Sequence, residues 1–235
     1  MSVEFPGYRM IVELDVGPSR AFRAVEEKTG RDVVIKLLSS EAAARPGFRP
    51  AMEKLGPVLE GLSHRNICRF YGCIESGTGL DRSVAFCYQY MEGDDLGRWY
   101  DRNSAPGAVS GDTLGIYSQI VDGVCYLHSM KVIHAGIKPS SIIVSPKGLV
   151  KLTDIGFYEL AGLSSPGESH ASAFELCFRA PEQVAGKAVY RRSDIYSLGV
   201  LLYWLITGQP PFVLDGKSIE DLAREIRRSG PEERP

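Results

Sequence analysis

The spacing of apolar residues changes once along this chain, from a strand pattern to a helix pattern, and that change constrains the fold most. Before the change, apolar side chains come in short runs such as Tyr8–Leu14 and Val33–Leu38, which predicts strands. One helical stretch, Phe48–Leu62, lies among them, and Gly56-Pro57 inside it predicts a kink or a split. After the polar linker Glu92–Asp95, helical spacing dominates. A small β-rich part followed by a larger helical part predicts a cleft between them.

Three segments of the second part carry helix signals. Thr113–His128 has one apolar face and follows Asp112, a suitable N-cap residue. Asp194–Thr207 is strongly apolar and is followed by Gly208 and two prolines, which predicts a sharp stop. Ser218–Arg228 is amphipathic. The remaining predicted elements are short strands, at Ala21–Val25, Phe70–Cys73, Val84–Tyr90, Ile142–Val144 and Val150–Leu152.

Composition excludes several classes of function. The 235 residues are 44% apolar and 24% charged, which suits a globular domain with a real core. A net charge of -2 gives no attraction to nucleic acid or to an anionic membrane. The longest apolar run, Leu198–Ile206, is far shorter than the ~20 residues that span a bilayer. Five cysteines without CxxC pairing, and no visible secretory signal, predict reduced thiols in the cytoplasm and no zinc site.

A series of short motifs follows in a fixed order. In chain order they are Val33–Lys36, His64–Ile67, Cys87–Gly93, Tyr126–His128, Val132–Pro139, Asp154–Gly156, Arg179–Glu182, Asp194–Gly199 and Thr207–Phe212. In this order and spacing, the set resembles the eukaryotic-type protein kinase superfamily from Tyr8 to about Arg228. The resemblance implies an α+β, bilobal fold with a small β-rich N-lobe and a helical C-lobe.

The resemblance also sets the expected domain limits. It implies one kinase-like domain over residues 1–235, with an N-lobe over 1–91, a hinge at about 89–95 and a C-lobe over 96–235. Members of the family continue for several more helices, one of which supplies an arginine to Glu182. We therefore expect a C-lobe that is incomplete at its C-terminus, or one whose lower surface another segment or chain covers.

A nucleotide site is the next implication of the resemblance. Lys36 would hold the α- and β-phosphates, and Asp154 would hold a Mg²⁺ ion that bridges the phosphates. Lys138 would lie near the γ-phosphate, as a residual catalytic residue. Glu182 and Asp194 would be architectural, with Asp194 bracing the catalytic loop. The residues that would surround adenine and ribose are Ala21, Val34, the gatekeeper Tyr88, Gln89 to Met91, and Asp95.

The catalytic loop departs from the family pattern. Protein kinases carry His-Arg-Asp and, after four more residues, Asn, whereas this chain has His134-Ala135-Gly136 and then Ser141. Gly136 has no side chain that accepts the proton of a substrate hydroxyl, and Ser141 lacks an amide carbonyl, so a second metal should bind weakly. Ala135 removes the arginine that would read a phosphate on the activation segment. Control through that arginine is therefore not expected for Ser164, Ser165, Ser169 or Ser172.

The phosphate-covering loop is also altered. Its three glycine positions fall on Leu14, Val16 and Ser19, with Gly17-Pro18 between them. Proline lacks an N–H donor and the larger side chains hinder close approach, which predicts weaker nucleotide binding. Where the family has a valine in its second strand this chain has Ala21, and where the family has an alanine in its third strand this chain has Val34. The two changes together roughly conserve volume in the adenine pocket.

The partner of Lys36 is a further open point. Ungapped register puts Leu55 where the family has its helix glutamate, so Glu53 or Glu60 would need a slip or a kink to reach Lys36. If neither reaches, Lys36 is unpaired or differently paired. Ile155 replaces the family phenylalanine after Asp154, a tolerable apolar change.

Three functional hypotheses follow. The departures favour a pseudokinase that acts as a binding, scaffold or allosteric module, with a protein partner and weak residual binding of ATP and Mg²⁺. One alternative is an atypical active kinase that transfers the γ-phosphate to Ser, Thr or Tyr hydroxyls, since phosphoryl transfer relies mainly on positioning and electrostatics. The other is a nucleotide-free structural module of a larger signalling protein.

Overall fold

The structure is a computed structural model that describes residues 4–14, 20–77, 83–104, 111–158 and 172–228. Over these ranges a five-stranded sheet comes first and a mainly helical part follows. This arrangement confirms the expected α+β fold with a β-rich N-terminal region. None of the helices in the described ranges is both long enough and apolar enough to cross a lipid bilayer.

The first sheet is antiparallel, and its strand order is β1-β2-β3-β5-β4. Its strands are β1 Tyr8–Leu14, β2 Ala21–Glu26, β3 Arg31–Leu37, β4 Phe70–Ser76 and β5 Ser83–Gln89. The alternation of buried apolar side chains along β3 sets this register, because Val33 and Ile35 are fully buried. Ala21 then lies opposite Lys36 on the neighbouring strand, so both residues reach the same cleft.

Two helices precede β4, and the first was not predicted. Helix α1, Ser40–Ala44, begins where the Ser39 side chain accepts a hydrogen bond from the Ala42 N–H. Helix α2 runs without interruption over Phe48–Glu60 and includes Pro57, so of the two predicted outcomes, a kink or a split, the split is wrong. Burial of Phe48 and Leu59 against the core holds the helix together despite the missing hydrogen bond at Pro57.

The second part contains a short sheet, β6-β7-β8, and six helices within the described ranges. Its elements are β6 Asp94–Asp95, α3 Leu96–Asn103, α4 Gly111–Ser129, β7 Ile142–Val144, β8 Val150–Leu152, α5 Ala173–Leu176, α6 Pro181–Val184, α7 Arg191–Thr207 and α8 Ile219–Arg228. Two expectations need correction. Asp94–Asp95 is a strand rather than a linker, because it pairs with Val144 and Ile143 of β7. Asp112 lies inside the first turn of α4 rather than at its N-cap.

Helix α7 is the centre of the lower core. Leu201 and Leu205 are fully buried, and the Trp204 ring lies 4.7 Å from the Tyr100 ring, centroid to centroid. The helix ends at Gly208, whose φ of 74° is left-handed. Glycine adopts this conformation without the strain that a side chain would add. This rigid helix carries Asp194 in its first turn, beneath the loop that contains Gly136.

Backbone hydrogen bonds join the two parts of the chain. The Cys68 N–H donates to the Leu152 carbonyl at 2.8 Å, and the Leu152 N–H donates to the Asn66 carbonyl at 2.8 Å. One apolar core continues from Phe86 and Tyr88 of the upper sheet into the helical part. The cleft between the parts is therefore positioned by shared packing on its inner side.

Candidate functional site

A cleft of ≈ 150 Å³ that opens to solvent lies between the upper sheet and the β6-β7-β8 sheet. All of the residues predicted to surround a nucleotide line it. These are Ala21, Val34, Lys36, Tyr88, Gln89, Met91, Asp95 and Asp154. Gly136 and Lys138 are not part of this lining. Their assigned roles in binding remain predictions, but the folded chain brings the cleft residues together as the motif order implied.

The inner end of the cleft is apolar and closed. Ala21 is fully buried, and Val34 lies opposite Tyr88 in the sheet register. The Tyr88 hydroxyl donates a hydrogen bond to the Ile155 carbonyl at 3.2 Å, and burial raises the pKa of this phenol well above its usual value. Burial also raises the pKa of the Cys68 thiol to about 12, so this cleft residue is not a nucleophile at neutral pH.

Lys36 and Asp154 form a direct ion pair at the next position along the cleft. The Nζ–Oδ2 distance is 2.6 Å, and Lys36 is only 7% exposed. The ammonium also lies 4.7 Å from the centroid of the Phe157 ring. Among the described residues, neither Glu53 nor Glu60 of α2 pairs with Lys36, so Lys36 is the differently paired lysine that was one of the two expected outcomes.

The loop that contains Gly136 is braced from below by Asp194, which is fully buried. Its carboxylate accepts hydrogen bonds from the backbone N–H groups of His134, at 3.0 Å, and Ala135, at 2.8 Å, and pairs with His128 Nε2 at 2.8 Å. Gln183 donates from Nε2 to the Ala135 carbonyl at 2.7 Å. Ala135 has a left-handed φ of 58°, and these bonds hold it there.

Gly136 itself leaves the place of the lost base empty of side-chain atoms. A Cβ built on Gly136 would meet His134 Nδ1 at 3.7 Å, an ordinary contact, and its φ is not in the left-handed region. The backbone therefore does not require glycine there. The Gly136 N–H donates to His134 Nδ1 at 3.3 Å, and burial holds the pKa of His134 below its usual value, so this imidazole is neutral.

Ser141 is fully buried and its hydroxyl is occupied within the loop. The oxygen lies 2.9 Å from the carbonyls of both Gly136 and Lys138, to which it donates, and it accepts from the Lys138 N–H at 3.1 Å. The hydroxyl hydrogen and one lone pair of Ser141 are therefore used within the loop. Within the ranges that the structure describes, no group of three or more His, Cys, Asp or Glu side chains is placed to hold a metal ion.

A carboxylate that the sequence reasoning missed lies beside Lys138. Glu175 Oε1, on α5, is 2.7 Å from Lys138 Nζ and accepts a hydrogen bond from the Ser140 hydroxyl at 2.8 Å. Burial alone would raise the pKa of Glu175, but the Lys138 ammonium and both hydrogen bonds hold the pKa below its usual value. The only sequence signal was an acidic residue between a polar loop and the Arg179–Glu182 motif, which gave it no role.

Some predicted positions have other outcomes. Glu182, for which the resemblance implied an arginine partner, accepts a hydrogen bond from the Ser193 hydroxyl at 2.5 Å. Ser172 is the N-cap of α5, where its side chain accepts from the Glu175 N–H. The altered glycine positions Val16 and Ser19, with Gly17-Pro18, lie outside the described residues, as do Ser164, Ser165 and Ser169.

The fold, the ordered motifs and the lined cleft together define a kinase-type domain. This chain belongs to the protein kinase family, because the family profile described as "Protein kinase domain" matches residues 17–231.

Individual relatives are serine/threonine-protein kinases. PrkC of Bacillus subtilis is 29% identical over 209 residues, a match that covers 88% of this chain and 31% of the relative. PknB of Mycobacterium leprae is 28% identical over 200 residues, covering 85% of this chain and 32% of the relative. The chain thus spans about a third of the length of these curated relatives. The crystal structure of the Mycobacterium tuberculosis PknI kinase domain superposes with a TM-score of 0.68, at 21% identity, over 96% of this chain and 85% of that one.

Proposed function

We propose that this chain is a pseudokinase, a kinase-fold module that binds a protein partner and retains weak binding of adenine nucleotides without transferring phosphate at kinase rates. One observation carries the proposal. The loop of Gly136 is held by three hydrogen bonds with Asp194 and Gln183, yet position 136 has no side chain. The scaffold of the reaction is kept while its acid–base group is missing.

The size of the missing contribution supports this conclusion. Loss of a general base typically reduces a rate by ~10²–10⁴. At 1.36 kcal/mol per decade, this is a loss of about 3–5 kcal/mol of transition-state stabilisation. The second metal ligand is absent as well, because the Ser141 hydroxyl is engaged by the loop's own backbone. Of the metal ligands that the resemblance implies, only Asp154 is left to hold a cation at this end of the cleft.

The adenine end supports residual nucleotide binding. Ala21, Val34 and Met91 give it an apolar lining of the kind that small-molecule sites use. When bound, ATP with Mg²⁺ would supply the phosphates and the bridging charge, and Lys36 and Asp154 would be the residues that face them. The cytoplasm remains the proposed location, in agreement with the free thiols of Cys68, Cys87 and Cys177.

A transfer assay and a melting assay together test the proposal. We expect no radiolabel transfer from ATP to the chain or to a generic substrate above the background of Asp154→Ala. Adenine nucleotides should still raise the melting temperature, since a ligand at 100 times its dissociation constant adds about 2.7 kcal/mol. Transfer at ordinary kinase rates that Lys36→Ala abolishes would contradict the proposal. No melting shift at millimolar nucleotide would favour the nucleotide-free structural module instead.

An active, atypical kinase is the second candidate, and one contact favours it. The Glu175 carboxylate lies 2.7 Å from Lys138 Nζ, so the folded chain does bring an acidic side chain to the catalytic loop. Against a role as the base, Lys138 and Ser140 already occupy Glu175 Oε1 and hold the pKa low, which makes it a poor proton acceptor. The same transfer assay on Glu175→Gln separates the two candidates.

A further inference from the structure

We propose that Glu175 is a specificity residue that makes the cleft discriminate against triphosphates, so that adenosine and ADP bind in preference to ATP. This inference rests on the proposed function, because it requires a cleft that binds adenine compounds. It concerns the phosphate end of the cleft, where the sequence predicted that Lys36 and Lys138 would face the phosphate chain.

Both lysines of this end are already paired with carboxylates. Lys36 Nζ is 2.6 Å from Asp154 Oδ2, and Lys138 Nζ is 2.7 Å from Glu175 Oε1. Both pairs are substantially shielded from water, with side-chain exposures of 9% and 16% in the first and 24% and 13% in the second. A phosphate group that approaches either ammonium must displace the carboxylate that is paired with it, or share the ammonium with that carboxylate.

Hydrogen bonds at its side chain and at its backbone hold Glu175 in this position. The Ser140 hydroxyl, whose residue lines the cleft, donates to the same Oε1 at 2.8 Å. At its other end, the Glu175 N–H is capped by the Ser172 side chain at 3.2 Å. Lys36 also contributes to keeping the pKa of Glu175 low, behind the effects of burial, Lys138 and Ser140, so the two ion pairs belong to one cluster.

The charged side chains of the cleft lining do not offset this. Among the described residues they are Lys36, Arg98, Asp94, Asp95 and Asp154, which is two positive and three negative charges. Arg98 lies 3.3 Å from Asp95 Oδ2, and Asp94 pairs with Arg102 at 2.5 Å. With Arg102 counted against Asp94, these described charges form neutral pairs, and the Lys138–Glu175 pair behind them is neutral as well. Each added phosphate brings negative charge close to Asp154 or Glu175 without reaching a free cation in the part that the structure describes.

Titration of the purified chain with adenosine, ADP and ATP, in EDTA and again with Mg²⁺, tests the inference. For the wild type in EDTA, we expect adenosine and ADP to bind more tightly than ATP. Glu175→Gln and Glu175→Thr should each release Lys138 and raise the affinity for ATP by about tenfold, and that for ADP less. The affinity for adenosine should stay unchanged, which provides an internal check that the adenine end is intact.

Two matched variants complete the design. Asp221→Asn removes an exposed carboxylate that pairs with Arg224 on α8, and it should leave all three affinities unchanged. Adding Lys138→Met to Glu175→Gln should cancel the gain for ATP, because the released cation is removed. A gain that persists in this double variant would overturn the inference.

The remaining outcomes also decide the matter. If adenosine binds but the ratio of ATP to adenosine affinity is equal in the wild type and both Glu175 variants, the inference is wrong and the proposed function stands. If no adenine compound binds any variant, the inference and the nucleotide part of the proposed function both fall. If the wild type transfers phosphate and Glu175→Gln abolishes that transfer, Glu175 is a base and both proposals are overturned.

Discussion

Gly136 occupies a backbone position that would accept a larger residue. The nearest atom to an added Cβ is His134 Nδ1, at 3.7 Å, and no left-handed φ argues for glycine. What is missing is therefore a functional group rather than a fold feature. Single-residue changes in this loop should separate chemistry from stability.

Gly136→Asp tests that separation directly. We expect the unfolding free energy of the variant to lie within about 1 kcal/mol of that of the wild type, because the substitution causes no clash. It should raise phosphate transfer at least about tenfold above the wild-type background, because general-base catalysis is worth ~10²–10⁴ when fully realised. Gly136→Asn, which has nearly the same shape but no carboxylate, is the control. Equal transfer by both variants would show that the base is not what this loop lacks.

Asp194 is the residue on which the loop geometry depends most. Asp194→Asn replaces one carboxylate oxygen with an NH₂ group, so either the His134 or the Ala135 N–H loses its acceptor in a fully buried site. We expect a loss of about 2–3 kcal/mol of unfolding free energy in urea denaturation. The exposed Asp221→Asn should cost less than about 0.5 kcal/mol. Similar losses for the two variants would mean that Asp194 does not brace the loop.

Among the elements, helix α2 shows a helix kept intact by its surroundings. Pro57 is exposed and stands within Phe48–Glu60, where it removes one hydrogen bond, yet Leu59 beyond it is fully buried. The helix brings no glutamate to Lys36, and the Lys36–Asp154 pair takes the place of that contact. The position of α2 therefore influences which carboxylate pairs with Lys36.

Pro57→Ala should stabilise the chain. The change restores a backbone N–H to the helix and removes the ring from its interior, where proline costs up to about 3 kcal/mol. Because the native helix has adapted to the proline, we expect a gain of about 1–2 kcal/mol in unfolding free energy. Val58→Ala, at the next exposed position, should change the unfolding free energy by less than about 0.5 kcal/mol. A loss of stability in Pro57→Ala would show that α2 uses the proline.

For the whole molecule, stability should depend on pH through the buried His134. Burial lowers its pKa in the folded state below 6.5, so the unfolded chain takes up a proton at a pH where the folded chain does not. Stability is therefore complete above pH 6.5 and falls as the pH drops from 6.5 towards the folded pKa, by at most about 1.4 kcal/mol per pH unit. Glu175 acts in a separate window, because its lowered pKa gives stability that is present above its unfolded value of 4.5 and lost below it.

Urea denaturation at pH 7.5, 6.5 and 5.5 measures this dependence. His134→Asn keeps an acceptor near the Gly136 N–H but does not titrate, so we expect its curve to be flatter than that of the wild type over this range. His64→Asn, which removes a histidine that stacks on Tyr126, is measured beside it as the matched control. An unchanged slope in His134→Asn would assign the pH dependence to other groups.

The sequence alone determined the kinase fold, and the nucleotide-site residues that it predicted lie along one cleft. Short-range signals were sufficient where one face or one turn decides the structure, as at Ile142–Val144, Val150–Leu152 and the stop at Gly208. The order of the motifs then placed Lys36 and Asp154 in one site, although 118 positions separate them. The loss of the base at Gly136 was equally visible, because it depends only on which side chain is present.

Only the tertiary structure decided which charges meet. Continuity of α2 through Pro57 depends on burial by distant strands, and the pairing of Lys36 depends on where that helix lies. The contact of Glu175 with Lys138 joins residues 37 positions apart, and Glu175 belongs to none of the motifs. Ion pairs are set by distances of a few ångströms between side chains of separate elements, and local sequence patterns do not encode such distances.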